Sequence, residues 1–352
     1  MRPQFHTLTV ADVERLTDDA VAVTFDVPTN ASDAFAFRPG QSLTLRRLID
    51  GRDERRSYSI CAPPGARPRI GVREVPGGAF SSWLVRDVRP GDTVEVLPPT
   101  GDFTPDLTRA ANHVLLAAGS GITPVMSILS SVLRDPSATA VVFYGNRRTN
   151  TVMFADELAD LKDQYTSRMQ LVHVLSREPR EAELFTGRLD AAKLRALVPL
   201  LVDVSTVDHW WLCGPFGMVT DAREVLTELG VPKSRIHFEL FYVEEEPPVQ
   251  VSHVEPGTVG PSAELTVVLD GRSTTTSVPR DVTILEGAQR VRPDLPFACK
   301  GGVCGTCRAR VTHGKVHMRR NFALEEAEVE AGFVVTCQTL PTSTEVAVDF
   351  DQ

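Results

Sequence analysis

The stretch Phe297-Ala298-Cys299-Lys300-Gly301-Gly302-Val303-Cys304-Gly305-Thr306-Cys307 decides how the C-terminal part of this chain folds. Its three cysteines have the spacing C-x4-C-x2-C, and a fourth, Cys337, follows on a separate segment. This spacing is typical of a plant-type [2Fe–2S] cluster, in which four thiolates hold two irons. The sequence therefore predicts Cys299, Cys304, Cys307 and Cys337 as the ligands of a cluster.

Glycines shape the same loop. Gly301, Gly302 and Gly305 let the backbone pass close to the cluster sulfurs, and they let amide groups donate to an anionic cluster, which helps to set its potential. Two other uses of the cysteines remain open. Structural zinc sites usually pair two short C-x2-4-C motifs, whereas this chain has one. Disulfides are disfavoured because residues 1–6 lack the apolar segment of a signal peptide.

The chain as a whole has the composition of a globular enzyme. Its 352 residues predict two or three domains, and a hydrophobic content of 42% is sufficient for their cores. A net charge of -9 gives no indication of nucleic-acid binding. No apolar run approaches the ~18 residues that cross a bilayer, so no membrane association is expected. Free thiolates for iron favour a cytoplasmic protein.

Two regions with different sequence patterns precede the cysteine loop. Residues 1–107 predict an antiparallel β-barrel, because short β-prone segments such as residues 20–25 alternate with turns rich in proline and glycine. In residues 108–242, apolar runs at 113–118 and 140–145 alternate with helical patterns. This alternation predicts βαβ units on a doubly wound parallel sheet, with the ligand at the carboxyl ends of the strands.

The remainder of the chain predicts a linker and a separate domain. Residues 243–262 are rich in proline and acid and contain no lysine or arginine, as in a partly stiffened linker. Residues 263–352 open with a hairpin, because Asp270-Gly271 stands between two β-prone runs. A helix is expected near residues 283–290, directly before the cysteine loop.

Two short motifs in the first region suggest a flavin. Arg56-Ser57-Tyr58-Ser59 offers a cation for phosphate, an aromatic ring for stacking and two hydroxyls. Gly77-Gly78-Ala79-Phe80-Ser81-Ser82 predicts a turn into a helix N-terminus, where free amides and serine hydroxyls can hold a pyrophosphate. Each motif on its own is more often an ordinary strand face or a capped turn.

Taken together, the motifs resemble the ferredoxin–NADP reductase superfamily over nearly the whole chain. The stretches 297–309 and 331–338 are most similar to the reductase subunits of phenylacetyl-CoA epoxygenases, although reductases of steroid and aromatic-ring hydroxylases share this order of domains. The resemblance implies a flavin-binding β-barrel, a doubly wound NAD(P)-binding domain and a C-terminal β-grasp ferredoxin domain. The motifs that carry it are Arg56-x-Tyr58-Ser59, Gly78-x-x-Ser81, Gly119-x-Gly121-Ile122-x-Pro124, Cys213-Gly214-Pro215-x-x-Met218 and the cysteine loop.

The resemblance implies FAD as the flavin and assigns roles around it. Arg56 is expected at the flavin phosphates, and Tyr58 on the isoalloxazine ring. Ser57 is expected among the flavin-binding residues, and Ser59 is expected to hydrogen-bond near N5, where hydride arrives. Phe241 matches an aromatic residue that covers the other ring face, and a place in the core is its alternative. The residues implied at the pyrophosphate are Gly78, Ser81 and Ser82.

The resemblance also implies contacts to NADPH or NADH. The turn with Gly119, Gly121 and Thr123 brings its amides to the nucleotide pyrophosphate, although it departs from the six-residue G-x-G-x-x-G fingerprint. Cys213 and Gly214 end a later strand beside the nicotinamide, which makes Cys213, with Ser59, an implied catalytic residue.

A further pair bears on the choice of nucleotide. Similar reductases bind the 2′-phosphate of NADPH with a serine and an arginine, which Ser176 and Arg177 match. A solvated arginine at a strand end is the alternative, and it leaves NADH open. The nucleotide preference therefore depends on what Arg177 contacts.

The implied activity is electron transfer from NAD(P)H through FAD and a [2Fe–2S] cluster to an oxygenase component. The implied acceptor is the di-iron oxygenase of a phenylacetyl-CoA epoxygenase, which places the chain in phenylacetate catabolism. Two alternatives remain. One is the reductase of another oxygenase, of the 3-ketosteroid 9α-hydroxylase or aromatic-ring hydroxylase type. The other is a redox sensor that keeps the fold without turnover.

Overall fold

The computed structural model describes residues 4–49, 52–242, 262–297 and 299–352. The chain forms two compact units, which divide after residue 243. The predicted linker at residues 243–262 lies outside the described residues, apart from Ser262, which begins a strand. In the part of the chain that is described, no helix is long and apolar enough to span a bilayer.

The first unit begins with a six-stranded antiparallel barrel. Its strands are β1 (His6–Thr17), β2 (Ala20–Asp26), β3 (Ser42–Ile49), β4 (Arg52–Ser59), β5 (Arg69–Arg73) and β6 (Thr93–Val96), with one helix, α1 (Ala79–Arg86), after β5. The strand order is β4-β3-β6-β1-β2-β5, and a bridge between Ile60 and Ile70 joins the two ends of this order. Alternating apolar residues fill the interior, where Phe25 and Leu43 are fully buried.

A five-stranded parallel sheet follows in the same unit. Its strands are β7 (Asn112–Ala118), β8 (Thr139–Asn146), β9 (Met169–Leu175), β10 (His209–Pro215) and β11 (Ile236–Tyr242), and its helices are α2 (Ile122–Val132), α3 (Ala155–Gln164), α4 (Ala191–Leu201) and α5 (Phe216–Glu228). The strand order is β11-β10-β7-β8-β9, with every pair parallel. The central strands β7 and β8 are nearly continuous apolar runs, because core clusters pack on both faces of the sheet. The carboxyl ends of β7 and β10 lie side by side.

The barrel and the parallel sheet pack firmly against each other. The Ser127 hydroxyl, which is fully buried, donates to the Ala62 carbonyl at 2.6 Å. Arg69 of the barrel binds Glu157 of α3 through two hydrogen bonds of 2.9 and 3.0 Å. This packing brings the end of β4 to the end of β11, which determines the geometry of the site.

The second unit is a mixed sheet with a helix packed on it. Its elements are β12 (Ser262–Leu269), β13 (Arg272–Pro279), α6 (Ile284–Gln289), β14 (Arg308–His313), β15 (Val316–Met318), α7 (Glu326–Glu330), β16 (Phe333–Val335), β17 (Thr339–Pro341) and β18 (Glu345–Asp349). The main sheet has the order β13-β12-β18-β14-β16, and β15 pairs with β17. Asp270 and Gly271 form the predicted hairpin turn with φ of 55° and 65°. The predicted fold class is confirmed.

Candidate functional site

Three side chains of different chemistry meet where the barrel and the parallel sheet join. Ser59, at the end of β4, is buried, and its hydroxyl donates to Glu239 Oε2 at 3.3 Å. Glu239 lies on β11, opposite the fully buried Cys213 of β10 in the parallel register. The predicted catalytic pair, Ser59 and Cys213, is therefore joined by a carboxyl group that lies next to both.

The protein around the Glu239 carboxyl changes its pKa. Glu239 is half-buried as a residue, but protein encloses its carboxyl, and this desolvation raises the pKa of Glu239 to about 7 despite the opposing hydrogen bond from Ser59. Burial, with a smaller contribution from the Glu239 carboxylate, raises the pKa of the Cys213 thiol well above its usual value. Burial therefore favours the neutral thiol of Cys213 and the neutral carboxyl of Glu239 relative to their forms in water.

Sequence reasoning missed Glu239. The signal available was a single acid between Phe238 and Leu240 in an apolar strand, two residues before Phe241. Phe238 and Leu240 pack into the core on one face of the sheet, whereas Phe241 packs against the core cluster that contains Cys213, the residue opposite Glu239. Phe241 is half-buried against the core between the sheet and α2, which is compatible with both roles considered for it.

The turn after β7 passes directly against the end of β10. A Cβ atom on Gly121 would lie 2.1 Å from the Cys213 carbonyl oxygen, so only glycine fits this approach. The turn is a 3₁₀ segment, Gly119–Gly121, that leads into α2 without a side-chain cap. Thr123 donates to the Ser120 carbonyl at 2.9 Å inside the turn. The N-terminus of this helix, which no side chain caps, fits an anionic group such as a nucleotide pyrophosphate.

The flavin motif on β4 is already hydrogen-bonded to its neighbours. Arg56 is half-buried and donates to Glu54 Oε2 at 3.0 Å, which leaves other donors of its guanidinium for a phosphate. The Ser57 hydroxyl pairs with that of Thr44 at 2.9 Å. The ring of Tyr58 lies 6.2 Å from that of Phe80, and desolvation raises the pKa of Tyr58.

The serines predicted at the flavin pyrophosphate bind protein groups. Ser81 is buried; its hydroxyl accepts from the Val75 amide at 3.0 Å and donates to the Gly78 carbonyl at 3.1 Å. The Ser82 hydroxyl donates to Glu74 Oε1 at 2.8 Å. Gly78 precedes α1 and supplies no side-chain cap, so the first-turn amides are the groups that fit an anion here.

The proposed 2′-phosphate residues lie at the carboxyl end of β9. Ser176 is bound to the neighbouring strand, since its amide donates to the Asn146 carbonyl at 2.9 Å and its hydroxyl to the same oxygen at 3.3 Å. Arg177 is exposed, and its amide donates to the Arg147 carbonyl at 2.8 Å. Both residues therefore stand at the edge of the sheet where doubly wound domains bind ligands.

The four predicted cluster ligands form two thiol pairs in the second unit, Cys299 with Cys304 and Cys307 with Cys337. Cys307 and Cys337 are buried, Cys299 is half-buried and Cys304 is exposed. The hydrogen bond from Cys304 lowers the pKa of Cys299 to about 6, and that from Cys337 lowers the pKa of Cys307. Among the described residues, no three acidic, histidine or cysteine side chains converge on one ion position. Two thiol pairs fit a binuclear cluster, which shares four thiolates between two irons.

The backbone of this loop adopts left-handed conformations. Gly302 has φ +80°, and Lys300, a non-glycine residue, has φ 51°. The Gln338 side-chain amide donates to the Lys300 carbonyl at 2.7 Å, and a Cβ on Gly302 would lie 3.0 Å from Gln338 Cγ. Gln338, which sequence reasoning also missed, thus holds the loop from the segment of Cys337.

Three known domain families match successive parts of the chain. Residues 7–104 match the oxidoreductase FAD-binding domain, residues 115–224 the oxidoreductase NAD-binding domain, and residues 267–342 the 2Fe-2S iron-sulfur cluster binding domain. The predicted cofactors are thereby confirmed: the chain carries domains for FAD, for a nicotinamide nucleotide and for a [2Fe–2S] cluster.

Similar proteins belong to oxygenase systems. The chain is 42% identical to one of the subunits of 1,2-phenylacetyl-CoA epoxidase of Escherichia coli (strain K12), over 99% of this chain and 98% of that protein. It is 34% identical to the ferredoxin reductase component of 3-ketosteroid-9-alpha-monooxygenase of Rhodococcus rhodochrous, over 97% and 96%. Phthalate dioxygenase reductase shares the fold, with a TM-score of 0.67 at 24% identity over 98% of both chains. The chain therefore belongs to the ferredoxin–NADP reductase superfamily, as a reductase that combines FAD-binding, NAD-binding and 2Fe-2S domains.

Proposed function

We propose that this reductase passes electrons from NADPH, through FAD and its [2Fe–2S] cluster, to the di-iron oxygenase of a phenylacetyl-CoA epoxidase in the cytoplasm. The observation that carries this choice is the 42% identity to a phenylacetyl-CoA epoxidase protein over both full lengths, against 34% to a ketosteroid reductase. We assign residues 1–107 to FAD, 108–242 to the nucleotide, 243–262 to a linker and 263–352 to the cluster.

The residues of this chain bind and orient the cofactors, and the cofactors carry out the electron transfer. A bound flavin accepts a hydride and releases electrons singly, which a one-electron carrier requires. We assign the Ser59 hydroxyl and the Cys213 thiol to the place where nicotinamide meets flavin, with Glu239 orienting the hydroxyl. The burial of Ser59 and Cys213 excludes water from the place assigned to hydride transfer.

The other assignments follow the domains. Arg56, Ser57, Tyr58 and Phe241 hold the flavin, and the α1 start at Gly78, Ser81 and Ser82 binds its pyrophosphate. The nucleotide pyrophosphate is assigned to the turn with Gly119, Gly121 and Thr123. The nicotinamide is assigned to the strand end at Gly214. Ser176 and Arg177 take the 2′-phosphate, because a strand-end hydroxyl and an exposed guanidinium suit a phosphate dianion. Cys299, Cys304, Cys307 and Cys337 hold the cluster.

The proposal is tested with protein that carries both FAD and the [2Fe–2S] cluster, which we call the loaded protein. This protein is supplied with two acceptors in separate reactions. One reaction contains the oxygenase components of a phenylacetyl-CoA epoxidase, and the other contains a 3-ketosteroid 9α-hydroxylase oxygenase. We expect product formation coupled to NADPH oxidation with the epoxidase alone. Product with the steroid oxygenase and none with the epoxidase would reject the proposed partner. Failure of the fully loaded protein to reduce any one-electron acceptor would favour a redox sensor.

A further inference from the structure

Three basic residues lie around the cysteine loop, and we call Lys300, Arg319 and Arg320 the cationic rim. Lys300 belongs to the loop itself. Arg320 adjoins it through the backbone, since a Cβ on Gly302 would lie 3.4 Å from the Arg320 carbonyl oxygen. In the same segment, the Phe322 amide donates to the Gly302 carbonyl at 3.1 Å. Lys300 therefore lies within the loop, and Arg319 and Arg320 lie on the segment that packs against it.

Gln338 fixes two members of the rim relative to each other. Its side-chain amide donates to the Lys300 carbonyl at 2.7 Å, while its own carbonyl accepts from the Arg319 amide at 2.8 Å. Gln338 directly follows the ligand Cys337. The positions from which both cations project are thus set by the segment that also carries the fourth cluster ligand.

The charges of Lys300 and Arg319 are not compensated locally. Among the described residues, no carboxylate lies within ion-pair distance of either, although Arg308 in the same unit binds Glu328 at 3.0 Å. Arg319 is exposed, and the Lys300 ammonium lies 4.6 Å from the centre of the Phe297 ring. In a chain of net charge -9, a rim of positive charge around an electron-transfer centre is opposite in sign to the molecule as a whole.

A patch of the opposite sign follows in the sequence. The helix α7 and its capping residue carry four glutamates, most of them exposed: Glu325, Glu326, Glu328 and Glu330. A surface with separate positive and negative patches both attracts a charged partner and orients it, and this governs association rate more than final affinity. Both patches adjoin the cysteine loop: Arg308, which follows the ligand Cys307, binds Glu328 of the negative patch at 3.0 Å, whereas Lys300 of the positive patch lies in the loop itself.

We propose that the cationic rim docks a carboxylate-rich face of the acceptor protein and so places it next to the cluster. This inference rests on the proposed function, because it concerns the exit of electrons from the cluster. The cations also offset the repulsion between an anionic cluster and an anionic partner surface. The acceptor is accordingly a protein with clustered Asp or Glu side chains at its own electron-entry point.

The first test uses two small acceptors of opposite charge. Loaded protein is reduced with NADPH without oxygen and mixed with ferricyanide, an anion, or tris(phenanthroline)cobalt(III), a cation, and reoxidation of the cluster is followed by its absorbance. At low ionic strength we expect Lys300→Gln and Arg319→Gln each to slow the ferricyanide reaction about threefold and to speed the cobalt reaction. A changed cluster potential would move both rates in one direction, so opposite movement reports charge.

Matched variants locate the effect. Lys315→Gln removes the same charge from the turn after β14, at the far end of that strand from Cys307, and should change neither rate. Glu326→Gln on α7 should change each rate in the direction opposite to the rim variants. Equal rates in wild type, Lys300→Gln and Arg319→Gln with ferricyanide would overturn the proposal.

A binding measurement separates this inference from the proposed function. Fluorescein-labelled poly-L-glutamate is titrated with the oxidised, loaded protein, and fluorescence anisotropy reports complex formation. We expect binding that weakens with salt and with each rim variant but persists in Lys315→Gln. An affinity for poly-L-glutamate that is the same in the rim variants and in the wild type would overturn the inference. A cluster that NADPH cannot reduce would overturn the proposed function, while the anisotropy would still decide on the rim.

Discussion

The site at Ser59 and the cluster loop differ in their exposure to solvent. Ser59 and Cys213 are 3% and 0% exposed, and they are held on strands of two packed sheets. Cys304, in contrast, is exposed on a loop that contains the left-handed residue Lys300. Hydride transfer needs a dry site with oriented partners, whereas single-electron transfer to another protein needs an accessible centre. Our proposals accordingly assign burial to the first site, where it keeps water away, and surface charge to the second, where it guides the acceptor protein.

The largest expected effect separates the two sites completely. Cys304→Ser should abolish the visible absorbance and the electron paramagnetic resonance signal of the cluster, because one of four thiolates is lost. Flavin reduction by NADPH should continue at the wild-type rate, since the flavin site lies in the other unit. Thr306→Ser, which keeps a hydroxyl in the loop, is the control and should retain the cluster. Loss of flavin reduction as well would mean that the two sites are not independent.

The next largest effect is expected at Arg177, which we assign to the 2′-phosphate of NADPH. Arg177→Gln should raise the KM for NADPH about thirtyfold, which corresponds to about 2 kcal/mol for a hydrogen-bonded charge pair. The KM for NADH should not change, because NADH lacks the 2′-phosphate. Steady-state reduction of ferricyanide measures both. Arg195→Gln, which breaks a surface pair with Glu228 on α4 and α5, is the matched control. Equal effects on the two nucleotides would remove Arg177 from the 2′-phosphate site.

A smaller effect tests whether the buried hydroxyl orients the reaction. Ser59→Ala should slow flavin reduction about tenfold, the result of losing one hydrogen bond worth about 1.4 kcal/mol. Rapid mixing with NADPH under anaerobic conditions measures the rate, and the bound flavin content checks that the site still forms. Ser59→Thr, which keeps the hydroxyl, should recover part of the rate. An unchanged rate in Ser59→Ala would remove this hydroxyl from the reaction.

The smallest expected effect is a pH dependence. Because the pKa of Glu239 is raised to about 7 in the fold, the native state favours the neutral carboxyl. Its contribution to stability is fully present below the unfolded pKa and is lost as the pH rises through about 7. Glu239→Gln should remove this loss, together with any step near pH 7 in the rate of flavin reduction. Denaturant unfolding at a series of pH values is the check, and identical pH profiles would contradict the assignment.

The same comparison explains how far sequence reasoning reached. The order of barrel, parallel sheet and cluster unit was predictable, because apolar runs, the Asp270-Gly271 turn and the cysteine spacing are local signals. Glu239 was not, because its partner Ser59 is 180 residues away and only domain packing joins them. The partners of Ser81 and Ser82 escaped prediction for a related reason: a hydroxyl in a turn binds phosphate or backbone equally well.

We infer that electrons pass from the buried site to the cluster. The most direct measurement is an anaerobic titration of the loaded protein with NADPH and then NADH, followed by absorbance and by electron paramagnetic resonance. We predict that the flavin bleaches, that a rhombic [2Fe–2S] signal then grows, and that NADPH acts at lower concentration than NADH. A flavin that is reduced while no [2Fe–2S] signal appears would contradict this account.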